Sequence, residues 1–414
     1  MKQMSQVLAA LLETLWVSRM SRPKFDRWQA RRLKRWLSDD LPRVGYYTEN
    51  PTELADLKIT DKAIVMDQFE AFNLGGITQT KAWDAMAGSG EINGVGIGAS
   101  TGTSGNRALY AVTSDERNRW LGAMLAKTAP QFLWRKERVA VILPQSSSLY
   151  DEANKSRRLR LQFFDLRQGP ETWQDRLMTF DPTTITAPPR VLRHLAETGA
   201  DLKPRKVFSG AETLDQIDRN VIETHFNLRL GQIYMATEGL FGVSCAHGKL
   251  HLAEDATYFE FEPMDDGLVS PLVTGFRRRF QIMARYRMND LLRLSPDACS
   301  CGSPLRVIDE VVGRMDDVFV FDGKLITPDI LRNAVLDAAR GIDDFRVRRE
   351  AEKSVTLVLK PEQANADALA ALASLAKLFE TRGLDISVNL QHAPLQLDTS
   401  QKLRRIENCW SPPE

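Results

Sequence analysis

Between residues 91 and about 312, short β-rich runs such as "RVAVILP" (138–144), "ITAPP" (185–189) and "KPRKVFSGAE" (203–212) alternate with helix-like stretches such as "LDQIDRNVIETHF" (214–226). Strands that read as unbroken apolar runs are buried on both faces, so helices between them must cover both sides of a sheet. The expectation is an α/β fold with a large, multi-sheet N-terminal domain. Residues 1–90 read as a lead-in of polar-faced helices, and residues 251–294 as strand-rich. A second rhythm begins near residue 317: a strand at "DVFVF" (317–321), a helix at "PDILRNAVLDAAR" (328–340), a strand at "SVTLVLK" (354–360), an Ala/Leu helix over 365–380 and a strand at "DISVNL" (385–390). It predicts a small α+β C-terminal domain, with domains at 1–315 and 316–414.

The chain has 414 residues, more than one hydrophobic core usually supports. Lys plus Arg number 55 against 54 Asp plus Glu, which argues against nucleic acid as a partner held by bulk charge. No apolar run reaches 18 residues, which argues against integral membrane association. "VLAALLETLWV" (7–17) is interrupted by Glu13 and lacks the flanks of a secretory signal, so it reads as a helix packed on the body. The sharper alternative is a peripheral membrane contact through Leu11, Leu15 and Trp16. Four cysteines in so long a chain suggest a reducing, cytoplasmic compartment.

"GASTGTSGN" (98–106) admits two readings. Gly98, Ser100 and Gly102 fit the G-x-S-x-G nucleophile elbow, but an elbow needs a helix directly after the serine, and "ALYAV" (108–112) reads as a strand. A phosphate-wrapping loop asks only for glycine-permitted turns that aim N–H groups inward and for hydroxyl donors. Ser100, Thr101, Gly102, Thr103, Ser104 and Gly105 supply both, without the G-K-[ST] ending of a Walker loop.

Five more segments follow in a definite order: "FSGAETL" (208–214), "IYMATEG" (233–239), "RYRMNDLLRL" (285–294), "GRMDDVF" (313–319) and "DTSQKLRRI" (398–406). Together with the Ser/Gly loop they resemble the ordered motifs of the adenylate-forming superfamily: a phosphate loop, an adenine-side loop, Y-G-x-T-E, Y-R-T-G-D-L, G-R-x-D-D and a terminal S-G-K-x-x-R. The short length, "CSCGSPL" (299–305) and "GKLHLAED" (248–255) are similar to the phenylacetate-CoA ligase branch. The nearest resemblance is to adenylate-forming enzymes related to the synthetases that adenylate a deazaflavin coenzyme.

The resemblance implies ATP and Mg²⁺ as cofactors, with Lys402 bridging carboxylate and α-phosphate, Thr237 donating to a phosphoryl oxygen and Glu238 holding Mg²⁺. It puts Gly210, Ala211 and Glu212 beside the adenine and Tyr234 near it, Asp290 on the ribose hydroxyls, Arg314 near ribose and phosphate, and Asp316 at the hinge of a mobile small domain. The sequence departs from the family pattern at Met235, Met288, Asn289 and Gln401. Cys245, Cys299 and Cys301 with His251 make the complete ligand set of a structural zinc site, although C-x-C is tighter than the usual C-x-x-C. His247 competes as the fourth ligand, and four unpaired thiols are the bland alternative. Such a zinc would brace the loop following Glu238.

The function so implied is ATP-dependent activation of a small-molecule carboxylic acid, aromatic by family analogy, with transfer to CoA, an acyl carrier protein or an amine by a monomer or homodimer. The alternatives are adenylyl transfer to a phenol-like hydroxyl, and a non-catalytic nucleotide-binding relative.

Overall fold

The run Glu137–Leu143 lies at the heart of the molecule, and its alternate side chains face opposite ways. Val139 and Val141 pack with Val7, Leu11, Leu121 and Leu125 of the helices Lys2–Val17 and Ser114–Thr128. Ala140 and Ile142 pack on the other side with Trp173, Val191 and Ile222 of the helices Pro170–Phe180, Pro189–Glu197 and Gln216–Phe226. That two-sided burial is why the strand reads as a continuous apolar run. The computed structural model describes residues 2–47, 51–100, 107–143, 157–395 and 403–411.

Five strands of the central sheet run parallel, in the spatial order Leu159–Asp165, Glu137–Leu143, Thr184–Ala187, Lys206–Gly210, Gly231–Ala236. The sheet then turns antiparallel through Gly239–Ser244, Leu250–Leu252, Val307–Arg314, Asp290–Leu294, Val269–Thr274 and Tyr258–Pro263. Its antiparallel half is covered by the lead-in, whose Phe25, Trp28, Trp36 and Phe72 are buried in one cluster with Phe241, Phe276 and Tyr286. A smaller sheet holds Glu91–Ile92, Val95–Ala99 and Leu109–Thr113, the last two a hairpin around the Ser/Gly loop.

The C-terminal part has its own four-stranded sheet, ordered Ser387–His392, Ser354–Leu359, Phe345–Ala351, Ile406–Asn408. The helices Pro328–Leu336 and Asn365–Thr381 share its apolar cluster. The first helix stops four residues short of the expected 340, and the strand at Phe345–Ala351 went unread because arginines occupy three of its seven positions.

Burial overturns the sharper reading of the first helix at Leu11 and Leu15 and leaves it untested at Trp16. Leu11 is 0% exposed and Leu15 is packed against the core, whereas Leu12 and Trp16 face solvent. Gly122 lets this helix sit close on Ser114–Thr128, since a Cβ there would lie 2.3 Å from the Val7 carbonyl oxygen. Among the described residues no helix is long and apolar enough to cross a membrane.

Candidate active site

Parallel strands deliver their carboxyl ends to one edge of a sheet, and the loops that leave there line the crevice where ligands bind. Lys206–Gly210 and Gly231–Ala236 are adjacent and parallel, so the loops carrying Ala211 and Glu212 and carrying Thr237 and Glu238 emerge side by side. Ala211 adopts a φ of 70°, a left-handed conformation costly for a residue with a Cβ, and Glu212 is tied to Arg190 at 3.0 Å. Thr237 and Glu238 form the turn between Gly231–Ala236 and Gly239–Ser244, with no helix cap.

These loops open on a cavity of about 1020 Å³. Ser100, Ala211, Glu212, Tyr234, Thr237, Glu238, Asp290 and Arg314 all line it, so residues spread over more than 200 positions converge on one space. Gly210 ends its strand just behind the cavity wall. Thr101, Gly102, Thr103, Ser104, Gly105 and Lys402 lie outside the described residues. Asp290 and Arg314 are cross-strand partners. Tyr234 donates its phenolic hydrogen to Asp290 Oδ2 at 2.8 Å, while its buried ring lies 5.5 Å from that of Phe241. Asn289, one of the departures from the family pattern, donates to Asp316 Oδ2 at 2.5 Å. Met235 lines the cavity, and Met288 does so from a largely buried position.

Tyr286 and Lys62 belong to the site although neither was singled out in the sequence. Tyr286 donates to Glu238 Oε1 at 2.9 Å. Burial lifts the Glu238 carboxyl above its ordinary range, against the hydrogen bonds from its own backbone and from Tyr286. Lys62 opens the short helix Lys62–Asp67, capped by Asp61, whose Oδ1 accepts from the Ile64 amide at 2.9 Å. Burial lowers its pKa, while the neighbouring Glu238 charge works in the other direction. A lead-in residue reaches the site because Thr60 bridges Tyr286: its amide donates to the Arg285 carbonyl, and the Arg287 amide donates to its own carbonyl. No short-range pattern announces such a contact.

The Ser/Gly loop leaves one strand and enters another. Ser100 closes its neck: its amide donates to the Ala108 carbonyl, and its hydroxyl accepts from the Ala108 amide, both at 2.8 Å. Gly98 is required by packing, since a Cβ there would sit 2.2 Å from the ring of its cross-strand partner Tyr110. Both features belong to a hairpin and neither to a nucleophile elbow.

Cys245, His251, Cys299 and Cys301 gather with their ligand atoms all within 4.8 Å of one another. Cys245 Sγ and Cys299 Sγ are 3.8 Å apart, and Cys301 Sγ is 3.4 Å from His251 Nε2. The His251 Nδ1 lies 2.9 Å from the Leu305 carbonyl, a contact that leaves Nε2 with its lone pair. His247 turns aside, its Nδ1 against Ser300 Oγ at 2.9 Å. None of the four gathered residues lines the cavity. The strand Gly239–Ser244 separates Cys245 from Glu238, about 20 Å at roughly 3.3 Å per residue. A metal here would therefore brace the far end of that strand and not the loop after Glu238.

No family model matches the chain. A phenylacetate-coenzyme A ligase of Pseudomonas putida is 25% identical over 265 residues, which take in 58% of this chain and 60% of that ligase. The matched region therefore spans less than two thirds of the relative's length. A 2-hydroxyisobutyryl-CoA ligase solved in the postadenylation state superposes with a TM-score of 0.71 at 17% identity, covering 94% of this chain and 91% of the other. The chain has the fold of that adenylate-forming ligase. Protein CapK of Staphylococcus aureus is 28% identical over 126 residues, 29% of this chain and 28% of CapK. Against the same 2-hydroxyisobutyryl-CoA ligase in its thioesterification state the TM-score is 0.55 at 19% identity, covering 94% and 91% of the two chains.

Proposed function

We propose that the protein is an ATP-dependent acid–thiol ligase: it joins a carboxylic acid to AMP, releases pyrophosphate, and passes the acyl group to a thiol. The observation that carries this reading is the convergence of Thr237, Glu238, Asp290 and Arg314 on one cavity at the carboxyl ends of the parallel strands. In the first step a carboxylate oxygen forms a bond to the α-phosphorus as the bond to pyrophosphate breaks, so the protein must orient three anionic groups and offset their charge. Asp290, held by Tyr234, accepts from the ribose hydroxyls; Arg314 and Lys62 offset phosphate charge; Thr237 donates to a phosphoryl oxygen. Lys402 bridges the reacting carboxylate and phosphate. Mg²⁺, when bound, neutralises phosphate charge, and Glu238, kept in place by Tyr286, is the carboxylate suited to it.

In the second step a thiol sulfur attacks the acyl carbon, loses its proton, and AMP leaves. We take the thiol to be CoA or a carrier arm, and residues 316–414 to turn about Asp316 between the steps. We take the acid to be aromatic, a reading supported by the name of the sequence relative. The Cys245, His251, Cys299 and Cys301 cluster fits a structural Zn²⁺, because metal–sulfur bonds of about 2.3 Å give tetrahedral edges of about 3.8 Å. With four protein ligands such an ion keeps no open position for chemistry.

The test is product analysis with a panel of aryl, arylacetic, hydroxy and fatty acids. Acyl-adenylate without thiol, and thioester plus AMP once CoA is added, support the reading. A product that keeps AMP on a hydroxyl would replace it with adenylyl transfer.

A further inference from the structure

The C-terminal part meets the large domain through a buried network of charge, flanked by apolar contacts at Val318 and Ile217. Arg405, its side chain 4% exposed, reaches Asp218 on the helix Gln216–Phe226 with two parallel bonds of 2.6 and 3.0 Å. The same guanidinium bonds Asp215, and its Nε donates to Asp344 at 3.1 Å. Arg332, on the helix Pro328–Leu336, donates to Asp215 at 3.0 Å and also to Glu310. From the large domain Arg193 donates to Asp218 at 3.0 Å and to the Asp343 carbonyl at 2.7 Å. Asp218 is fully buried, with a guanidinium from each side of the boundary.

An apolar interface of this depth would resist opening. A buried ion network differs: desolvating the charges costs nearly as much as their attraction returns, so the closed and hydrated states lie close in free energy. The geometry is nonetheless demanding, since a bidentate guanidinium–carboxylate pair holds only in one orientation. Cheap release with strict registration is what a part that must turn and return requires.

Position gives the network a task. Leu403, Arg404 and Arg405 line the cavity, and Arg405 follows Lys402 by three residues, no more than about 11 Å of extended chain. Arg404 also pairs with Asp317, next to the proposed hinge. Fixing Arg405 thus limits the reach of the chain that carries Lys402. The arrangement in which the network is formed superposes better on a postadenylation state than on a thioesterification state of the same ligase.

We propose that Asp218 and Arg405 form a clasp that registers the small domain for adenylate formation and opens for thioester formation. Asp218 is then a positioning residue for the first half-reaction alone. The proposal rests on the ligase reading above.

The test separates the two half-reactions in Asp218→Asn. Acid-dependent ATP–pyrophosphate exchange is expected to lose about tenfold or more in kcat while KM for ATP and acid stays within about threefold. Thioester formation from acyl-adenylate supplied ready-made is expected to hold or rise. Equal losses in both would assign Asp218 a merely structural role, and unchanged exchange would remove the clasp; either overturns the proposal. Should that variant fail to fold, Arg293→Gln removes the more exposed cross-domain pair to Asp329, 2.8 Å long, and is expected to show a smaller loss confined to exchange. An equal effect on both steps there overturns the proposal too. Hydrogen exchange reads the clasp without chemistry: the Ile406–Asn408 amides should exchange faster in the altered protein, and unchanged protection would sink the idea. A wild-type protein silent with every acid would instead refute the ligase reading.

Discussion

Tyr286 donates its phenolic hydrogen to Glu238 Oε1 at 2.9 Å, so the carboxylate proposed for the metal is oriented before any ligand arrives. Removing a hydrogen bond to a charged group costs about 1.5 kcal/mol, roughly tenfold in an equilibrium constant. Tyr286→Phe should raise KM for MgATP by about tenfold and change kcat less, as steady-state kinetics at fixed acid would show. An unchanged KM would detach Tyr286 from the site.

Burial lifts the Glu238 carboxyl above the usual range, and this fixes the sign of a pH effect. A raised carboxyl contributes stability that is present in full below its unfolded pKa and is lost as pH rises through the folded value. Near neutrality the ionised group is therefore a cost that a bound cation relieves. MgATP should raise the melting temperature more at about pH 7.5 than at about pH 5, and Glu238→Gln should flatten that difference. Equal shifts at both pH values in the unaltered protein would contradict the assignment.

Zinc content is a direct measurement on the Cys/His cluster. Protein purified without chelator should carry about one zinc per chain, and Cys301→Ser should lower the metal content and the melting temperature by several degrees. Near-zero zinc would leave four unpaired thiols.

Gly98 and Tyr110 test the hairpin against the elbow. Gly98→Ala drives a Cβ into the Tyr110 ring and should cost about 1–3 kcal/mol in a urea melt, part of it recovered when Tyr110 is also made Ala. A fluorophosphonate should leave Ser100 unlabelled; labelling would restore the hydrolase.

Much of this was legible because strand and loop chemistry is local. The apolar run at Glu137–Leu143 announces a strand buried on both faces, and the Ser/Thr/Gly stretch a loop joining two strands, without tertiary information. The four metal-type ligands were also readable, and the position of His251 on the strand Leu250–Leu252 decides it over His247. Their remoteness from Glu238 was not readable, since it depends on the length and direction of the intervening strand. Lys62 was missed because a chain bridge to Tyr286 brings it in from the lead-in. The Arg405 clasp was missed for a related reason: in the sequence it is one arginine beside another, and only packing pairs it with an aspartate 187 residues away.

The most direct measurement is ATP–pyrophosphate exchange across the acid panel with all thiols withheld, run on the unaltered protein and on Lys402→Ala. The account predicts exchange that depends on one class of acid and is abolished in Lys402→Ala, with ATP affinity kept within a few-fold. Bound ATP without exchange for any acid, or full exchange in Lys402→Ala, would contradict it.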